Sequence, residues 1–380
     1  MNNETGISFS FPQRNRDMEK EIKIDGIWYF LDIDEQEAMV VKSQDKEYSD
    51  EIIIPQSFFH EGITYSVTRI GEEAFGLCSR LYSISIPDTV TKIESKAFEG
   101  CWELTEVHVT SIEYWCKIEF SDPFSNPLFS GEASCGNITD LYIKGEIVTE
   151  LIIPGTITTI KDWTFCKCGN LTTVILHKGV KIIGEYAFHR CAQLTSVIMS
   201  DSIIEIREGA FSSCDSLASI TIPESVKTIG NRAFEFCINL TTVNLSGGVI
   251  NICNNAFYDC HNLVSIIGGN SLKSIGDHAF YKCENLSSFN MSDNVEFIGD
   301  YAFSGCGNLG VVIPKNLVSI GRYAFDECWL ESITIPKSLI NIDKCAFKDC
   351  HYDCVNLKIN VEKGNTKYDS RDNCNAIIET

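Results

Sequence analysis

The groups in this 380-residue chain with chemistry to offer are 18 cysteines, seven histidines and 52 acidic side chains. Thiols hold zinc when they come as two closely spaced pairs, and act as nucleophiles when a base or cation stands beside them. Eleven of the cysteines instead recur at one place, three residues after a phenylalanine: Cys78, Cys101, Cys168, Cys191, Cys214, Cys237, Cys260, Cys283, Cys306, Cys328 and Cys350. A spacing so regular assigns them to packing in a tight arc, where a small and usually buried side chain fits. The others (Cys116, Cys135, Cys166, Cys253, Cys345, Cys354 and Cys374) fall irregularly, and Cys166-Lys167-Cys168 is a lone C-x-C without a second pair for a metal. Neighbouring coils would bring the regular cysteines to about 4.8 Å with side chains parallel rather than facing, so thiols are expected rather than disulfides.

The histidines do not cluster, and His108 and His177 read as surface residues of their coils. There is no G-x-S-x-G elbow, Walker loop, G-x-G-x-x-G or H-E-x-x-H. The expectation is therefore a protein that is not an enzyme, with no catalytic, cofactor-binding or metal-ligating residues and no cofactor. Asn170, Asn239 and Asn285 start glycosylation-type triplets, but the repeat itself generates them, and an Asn before the repeat's leucine is expected to satisfy backbone groups at the turn.

The phenylalanines that precede the cysteines set the frame. Phe75, Phe98, Phe165, Phe188, Phe211, Phe234, Phe257, Phe280, Phe303, Phe325 and Phe347 are 23 residues apart, except for two gaps of 22 and one of 67. A period in the twenties marks a solenoid, whose units are too small to bury an apolar face alone and must stack. Isoleucine stands five residues before every ring, Val, Ile or Leu eight before, and alanine directly before it in every unit but one, where Thr164 takes its place. The alanine implies room for only a small side chain beside the ring. From the leucine after the cysteine the pattern turns to period two, as in Leu217, Ile220 and Ile222 with Ser219 and Thr221 between, which predicts one half-buried strand per coil and a parallel sheet. Proline ends that strand at Pro87, Pro154, Pro223, Pro314 and Pro336. A short second strand is expected over the V-x-x-I step. Glycine follows the isoleucine at Gly71, Gly184, Gly230, Gly276, Gly299 and Gly321, which suggests a corner with positive φ. The A-F-x-x-C-x-x-L arc has room for one or two helical turns at most.

The string I-G-x-x-A-F-x-x-C-x-x-L-x-x-I-x-I-P closely resembles the BspA-type leucine-rich repeat, from roughly Ile52 to the C-terminus. The tail from Tyr368 to Thr380 also resembles a segment that recurs between blocks of such repeats in bacterial proteins. The resemblance implies a mainly β, right-handed leucine-rich-repeat solenoid of about 23-residue coils with a parallel sheet, short second strands and short helical arcs. It implies a cell-surface or secreted protein that adheres or binds, and leaves the ligand open. The organisation expected along the chain is a polar segment and capping hairpin over 1–50, first repeats over 51–110, an irregular insertion over 111–145, the main repeat block over 146–361 and a tail or truncated module over 362–380.

The net charge of −21 opposes binding to nucleic acid or an anionic membrane. Met1–Lys20 is polar, without an apolar stretch of signal-peptide length, and no run is long enough to span a bilayer, so nothing in the sequence at hand is expected to export it. Ile22–Val41, with Asp25-Gly26 between its arms, reads as a hairpin that caps the first coil. Within the 67-residue gap, Ser111 is placed to cap a short helix and Pro123 and Pro127 bracket a loop before strand resumes at Leu141–Ile153.

Three functions stay open on this reading: a non-enzymatic scaffold presenting its sheet to a protein or glycan, an enzyme with its site in the 111–140 insertion, and a structural spacer of a longer surface protein. For the first, the outward sites two before the proline position are Ile152, Ile175 and Ile198 in consecutive coils, followed by Thr221, a candidate partner-binding stripe. For the second, Tyr114, Trp115 and Phe124 are candidate lining residues of a pocket.

Overall fold

The structure, a computed structural model, describes residues 19–129, 138–310, 312–330, 332–350, 358–369 and 378–379. It is a mainly β, parallel-sheet solenoid of about 12 turns that recur about every 23 residues. The arc around each phenylalanine is where successive coils are most regularly tied. The Phe188 N–H donates to the Ala210 carbonyl of the next coil at 2.8 Å, and the same bond runs forward from Phe75, Phe165, Phe211, Phe234, Phe257, Phe280, Phe303 and Phe325. Two further rungs flank it, Tyr186 to Glu208 and Arg190 to Ser212, both at 2.8 Å. The intervening N–H groups close turns inside the coil, His189 to Tyr186 at 3.1 Å and Cys191 to Phe188 at 3.3 Å. Alternate donors thus serve the next coil and the coil itself, which accounts for a buried stretch of backbone without a helix.

That alternation needs left-handed backbone two residues before and two after the ring. Tyr186 (φ 53) and Arg190 (φ 58) bracket Phe188, and Arg232 (φ 52) and Phe236 (φ 58) bracket Phe234. Ordinary side chains accept this strain because the rungs on either side fix the peptide planes. The glycines after the isoleucine are a correction to the sequence reading: none of the six has positive φ. Their role is close approach. A Cβ on Gly184 would sit 2.6 Å from the Asp162 side chain and 2.7 Å from the Ile160 carbonyl of the coil before, and Gly276 and Gly321 meet Asn254 and Asp300 in the same way.

Inside the arc the rings stack. From Phe165 to Phe347 successive centroids lie 5.2 to 5.5 Å apart with planes within 11° of parallel, and Phe75 and Phe98 form a separate pair at 5.1 Å. The alanine beside each ring is fully buried, so even one added methyl would have to displace a ring or a rung. The regular cysteines do more than fill space. Cys191 Sγ donates to the carbonyl of Phe165 in the preceding coil at 3.1 Å, and eight others repeat the bond. The two that do not, Cys78 and Cys168, are those with no phenylalanine at the ring position of the coil before. Burial pushes the regular thiols from Cys78 to Cys328 up, Cys237 to about 12, and the described cysteines other than Cys350 are free thiols. Cys135, Cys354 and Cys374 lie outside the described residues.

The second strands are short but continuous. Nine of them, from Thr159–Ile160 to Asn341–Ile342, form one parallel sheet. Among the described residues the longer strands expected as a single sheet fall into groups of four, to which Glu146–Ile147 adds an antiparallel fifth, then three, four and two. At the N-terminus, Glu19–Ile24 pairs antiparallel with Ile27–Asp32 across Asp25 and Gly26, both with positive φ, and Glu37–Val40 passes the sheet on to Ile63–Ile70. This hairpin extends the second-strand edge, while the Tyr48 ring covers the open face of Phe75 at 5.0 Å. At the other end the Tyr368 hydroxyl accepts from the Ile342 N–H, and Asn365 donates to the Pro336 and Leu339 carbonyls.

Two outcomes are expected. Phe234→Ala should cost about 3–5 kcal/mol in denaturant unfolding, since rings on both sides are held by their own rungs and cannot close the cavity. Hydrogen-exchange protection should fall in the coils of Phe211 and Phe257 as well; a loss below about 1 kcal/mol, or one confined to a single coil, would contradict the stack. Native alkylation read by mass spectrometry should label the half-exposed Cys253 and Cys345 before the buried Cys214 and Cys237. Disulfides between successive regular positions would overturn the thiol assignment.

Candidate functional site

The outward face of the longer strands carries the candidate stripe. Leu151, Val174 and Val197 pair in register and point inward, and the next residue in each strand, Ile152, Ile175 and Ile198, pairs in register on the opposite face. Ile152 and Ile198 are 50% and 54% exposed, whereas Ile175, flanked by both, is partly covered. This is a ladder of β-branched side chains shielding one another. The column beside it, Glu150, Thr173 and Ser196, is polar. Thr221 does not continue this ladder: the strand ladder breaks after Ser196–Met199, and Thr221 belongs to the next sheet, in register with Asn244 and Ile267. Thr195 carries its hydroxyl to the Thr172 carbonyl and Thr241 to that of Ala218, but Ala218 has no hydroxyl to offer Thr195.

The same column holds residues that the sequence reading passed over. Ile267 is 55% exposed, and Ile53 at the first coil 63%. Between them, Ser85, His108 and Tyr142 stand in register, with the His108 and Tyr142 rings stacked at 4.8 Å and His108 Nε2 3.0 Å from Glu106. Ile267 stands 46 residues beyond Thr221, two full periods past Thr221's own place, so the repeat register alone would have found it. Tyr142 lies where the register slips, and no spacing rule reaches it.

The aromatic insertion is different from the pocket expected there. The helix Ile112–Trp115 is capped by Ser111 as anticipated, and it delivers Trp115 into the core, fully buried and 5.2 Å from Phe120. Tyr114 faces outward at 42% exposure with Lys117 over its ring, and Phe124 is half-buried against Phe129. The three therefore do not share a pocket, because Trp115 is packing. Phe120 pairs with Ile93, the place of the usual isoleucine, and the Phe98 N–H donates to the Phe124 carbonyl, the place of the usual alanine. Ser125 then stands where the ring belongs, and the 67-residue gap holds one irregular coil.

The next rung is made by side chains. The Thr164 carbonyl receives the Trp115 indole N–H at 2.9 Å and Asn126 Nδ2 at 3.3 Å, while Asn126 also reaches the Trp163 carbonyl at 2.6 Å. The single exception to alanine thus sits opposite the one missing ring. Cys166 and Cys168 are buried on either side of Lys167, and among the described residues no three His, Cys, Asp or Glu side chains gather to hold a metal. The Asn side chains before the leucine are engaged: Asn239, Asn262, Asn285 and Asn308 each donate to a carbonyl of the preceding coil at 2.8–2.9 Å. Among the described residues no helix is long and apolar enough to cross a membrane.

A coil of one long strand, one short strand and a ring-centred arc, stacked into parallel sheets, defines a leucine-rich-repeat solenoid. The family model described as "BspA type Leucine rich repeat region (6 copies)" matches residues 57–125, 136–264, 228–353 and 310–373, and the chain belongs to that family. Among solved structures it is similar to a leucine rich cell surface protein of Faecalibacterium prausnitzii, with 26% identity over 94% of this chain and 97% of that one and a TM-score of 0.58. The pneumococcal vaccine antigen PcpA shares the fold at 19% identity, over 90% of this chain and 99% of that one, with a TM-score of 0.52. No curated protein matches.

Trp115→Ala should destabilise the protein by about 3–5 kcal/mol. Trp115→Phe keeps most of the volume but takes a donor from the Thr164 carbonyl, for about 1–3 kcal/mol. Urea unfolding followed by tryptophan-independent circular dichroism checks both; effects within about 0.5 kcal/mol would return Trp115 to the surface.

Proposed function

We propose that this protein is a non-enzymatic binding scaffold of the cell surface, presenting the outward face of its longer strands to a protein or glycan partner. The observation that carries the reading is the exposed Ile152–Ile175–Ile198 ladder beside a column of Ser, Thr and Glu. Aliphatic side chains held rigidly in line offer apolar area at little entropic cost, and the polar neighbours supply hydrogen bonds that orient what binds. Such a surface fits an extended apolar segment of a protein best. Family membership and the similarity to a cell-surface protein agree with this role. The buried Trp115 leaves the insertion without the aromatic lining that an active-site reading requires.

The test is a pull-down with the full chain as bait, from host extracellular material and from lysate of the producing cell. It is followed by the double substitution Ile175→Ser with Ile198→Ser. A specific partner should lose at least tenfold in affinity while the melting temperature holds within a few degrees. Unchanged affinity at unchanged stability would remove this face as the binding surface.

A further inference from the structure

A cleft of about 360 Å³ opens where the arcs of three successive coils lead into their strands. Its lining residues Lys167, Arg190 and Ser213 occupy the same repeat position, two after Phe165, Phe188 and Phe211, and all three have positive φ. Gln193, Asp215 and the exposed Ile138 complete the polar and apolar parts of the wall. In a chain with 52 acidic and 31 basic residues, two adjacent cations would be expected to find carboxylates. These two do not. Among the described residues neither forms an ion pair; the Lys167 ammonium has only the Phe129 ring, 5.9 Å from its centroid.

We propose that this cleft binds a sugar acid, with Lys167 and Arg190 taking the carboxylate and Gln193, Ser213 and Asp215 taking ring hydroxyls. The size falls among small-molecule clefts, which run from about 300 to 1,000 Å³. A guanidinium beside an ammonium matches a planar carboxylate, the fork binding both oxygens and the point charge adding attraction. Lys167 is half-buried, and burial first, then the Arg190 charge, pulls its ammonium below the usual lysine range. An anion between the two would relieve both costs. Asp215 lies within electrostatic reach of Arg190 but outside ion-pair distance, and burial raises its carboxyl. A carboxylate there disfavours a compact dianion such as phosphate, yet accepts hydrogen bonds from hydroxyls. Ile138 offers an apolar surface to the C–H face of a pyranose. This site is distinct from the isoleucine ladder.

Binding is measured on the full chain by calorimetry and saturation-transfer NMR, with glucuronate and N-acetylneuraminate as probes and glucose and inorganic phosphate as controls. At least one sugar acid should bind saturably, and at least tenfold tighter than either control. Lys167→Gln and Arg190→Gln should each weaken it at least tenfold, and Asp215→Asn should weaken it too, at an unchanged melting temperature. Should one variant fold poorly, the other and Asp215→Asn still decide. Absence of saturable binding to both acids, or binding that ignores the cation substitutions, overturns the proposal. So does phosphate binding as tightly as the acids with Asp215→Asn strengthening both, which would define a bare anion site. The Ile175→Ser/Ile198→Ser variant should keep its sugar-acid affinity, so failure of the ladder and failure of the cleft are separately visible.

Discussion

One hydrogen bond organises this molecule: the phenylalanine N–H of one coil to the alanine carbonyl of the next, at 2.7 to 2.9 Å in every step except that from Phe98, where the Phe124 carbonyl takes the alanine's place. It fixes the axial rise between arcs, and the rise in turn sets the spacing at which the rings stack. The neighbouring residue types follow from it. The residue that supplies the accepting carbonyl has room for only a methyl beside the ring, hence alanine. The ring's own carbonyl lies within reach of the next coil's third residue, hence a thiol that can both pack and donate weakly. Left-handed backbone on either side is the geometric consequence of sending alternate N–H groups forward.

What varies in length varies elsewhere. The two 22-residue steps, Phe303 to Phe325 and Phe325 to Phe347, keep both the rung and the stack, at 5.4 and 5.5 Å. The isoleucine stays five residues before the ring in both, so the lost residue comes out of the stretch between cysteine and the second strand. The four-stranded group of longer strands ends one coil before the first of these steps, at Ser288–Phe289. The arc and second strands act as a spine, and the longer strands are the part free to change. A binding surface on those strands can diversify without touching what holds the coils together.

The spine was legible in the sequence because its constraints repeat: Phe234, Ile229, Ala233 and Cys237 have counterparts in every or nearly every coil, and period two from Leu217 onward located the strand. The Ile152–Ile175–Ile198 register followed from the same arithmetic. What stayed hidden depends on contacts between coils rather than on residue type. A glycine reads alike whether it answers to φ or to a carbonyl 2.7 Å away, so the sequence alone does not separate the two causes at Gly184. An aromatic in a non-repeating segment reads alike whether it lines a pocket or plugs a core, so the sequence leaves Trp115 a candidate pocket residue where the structure buries it in the core. The pairing of Lys167 with Arg190 was visible as periodicity two after the ring, but their lack of carboxylate partners was not.

The insertion shows how the solenoid tolerates an interruption of its own rule. Ser125 cannot stack, so the ring column splits into Phe75–Phe98 and Phe165–Phe347. Nearest-neighbour coupling would make such a joint the weakest step in the coil array. Three side chains offset that weakness: the Trp115 indole fills volume and donates, Asn126 bonds two successive carbonyls, and the Thr164 hydroxyl closes back on Lys161 at 2.8 Å. All three groups are buried, where an unmet carbonyl is costly and a met one is correspondingly specific. The exception at Thr164 is therefore part of the joint rather than drift in the repeat. It also marks a change of surface: up to Tyr142 the outward column presents the stacked His108 and Tyr142, and from Ile152, in the strand that leads to Thr164, the aliphatic ladder. Each block keeps its own column in register, and the side-chain joint lets the two meet without sharing a strand ladder.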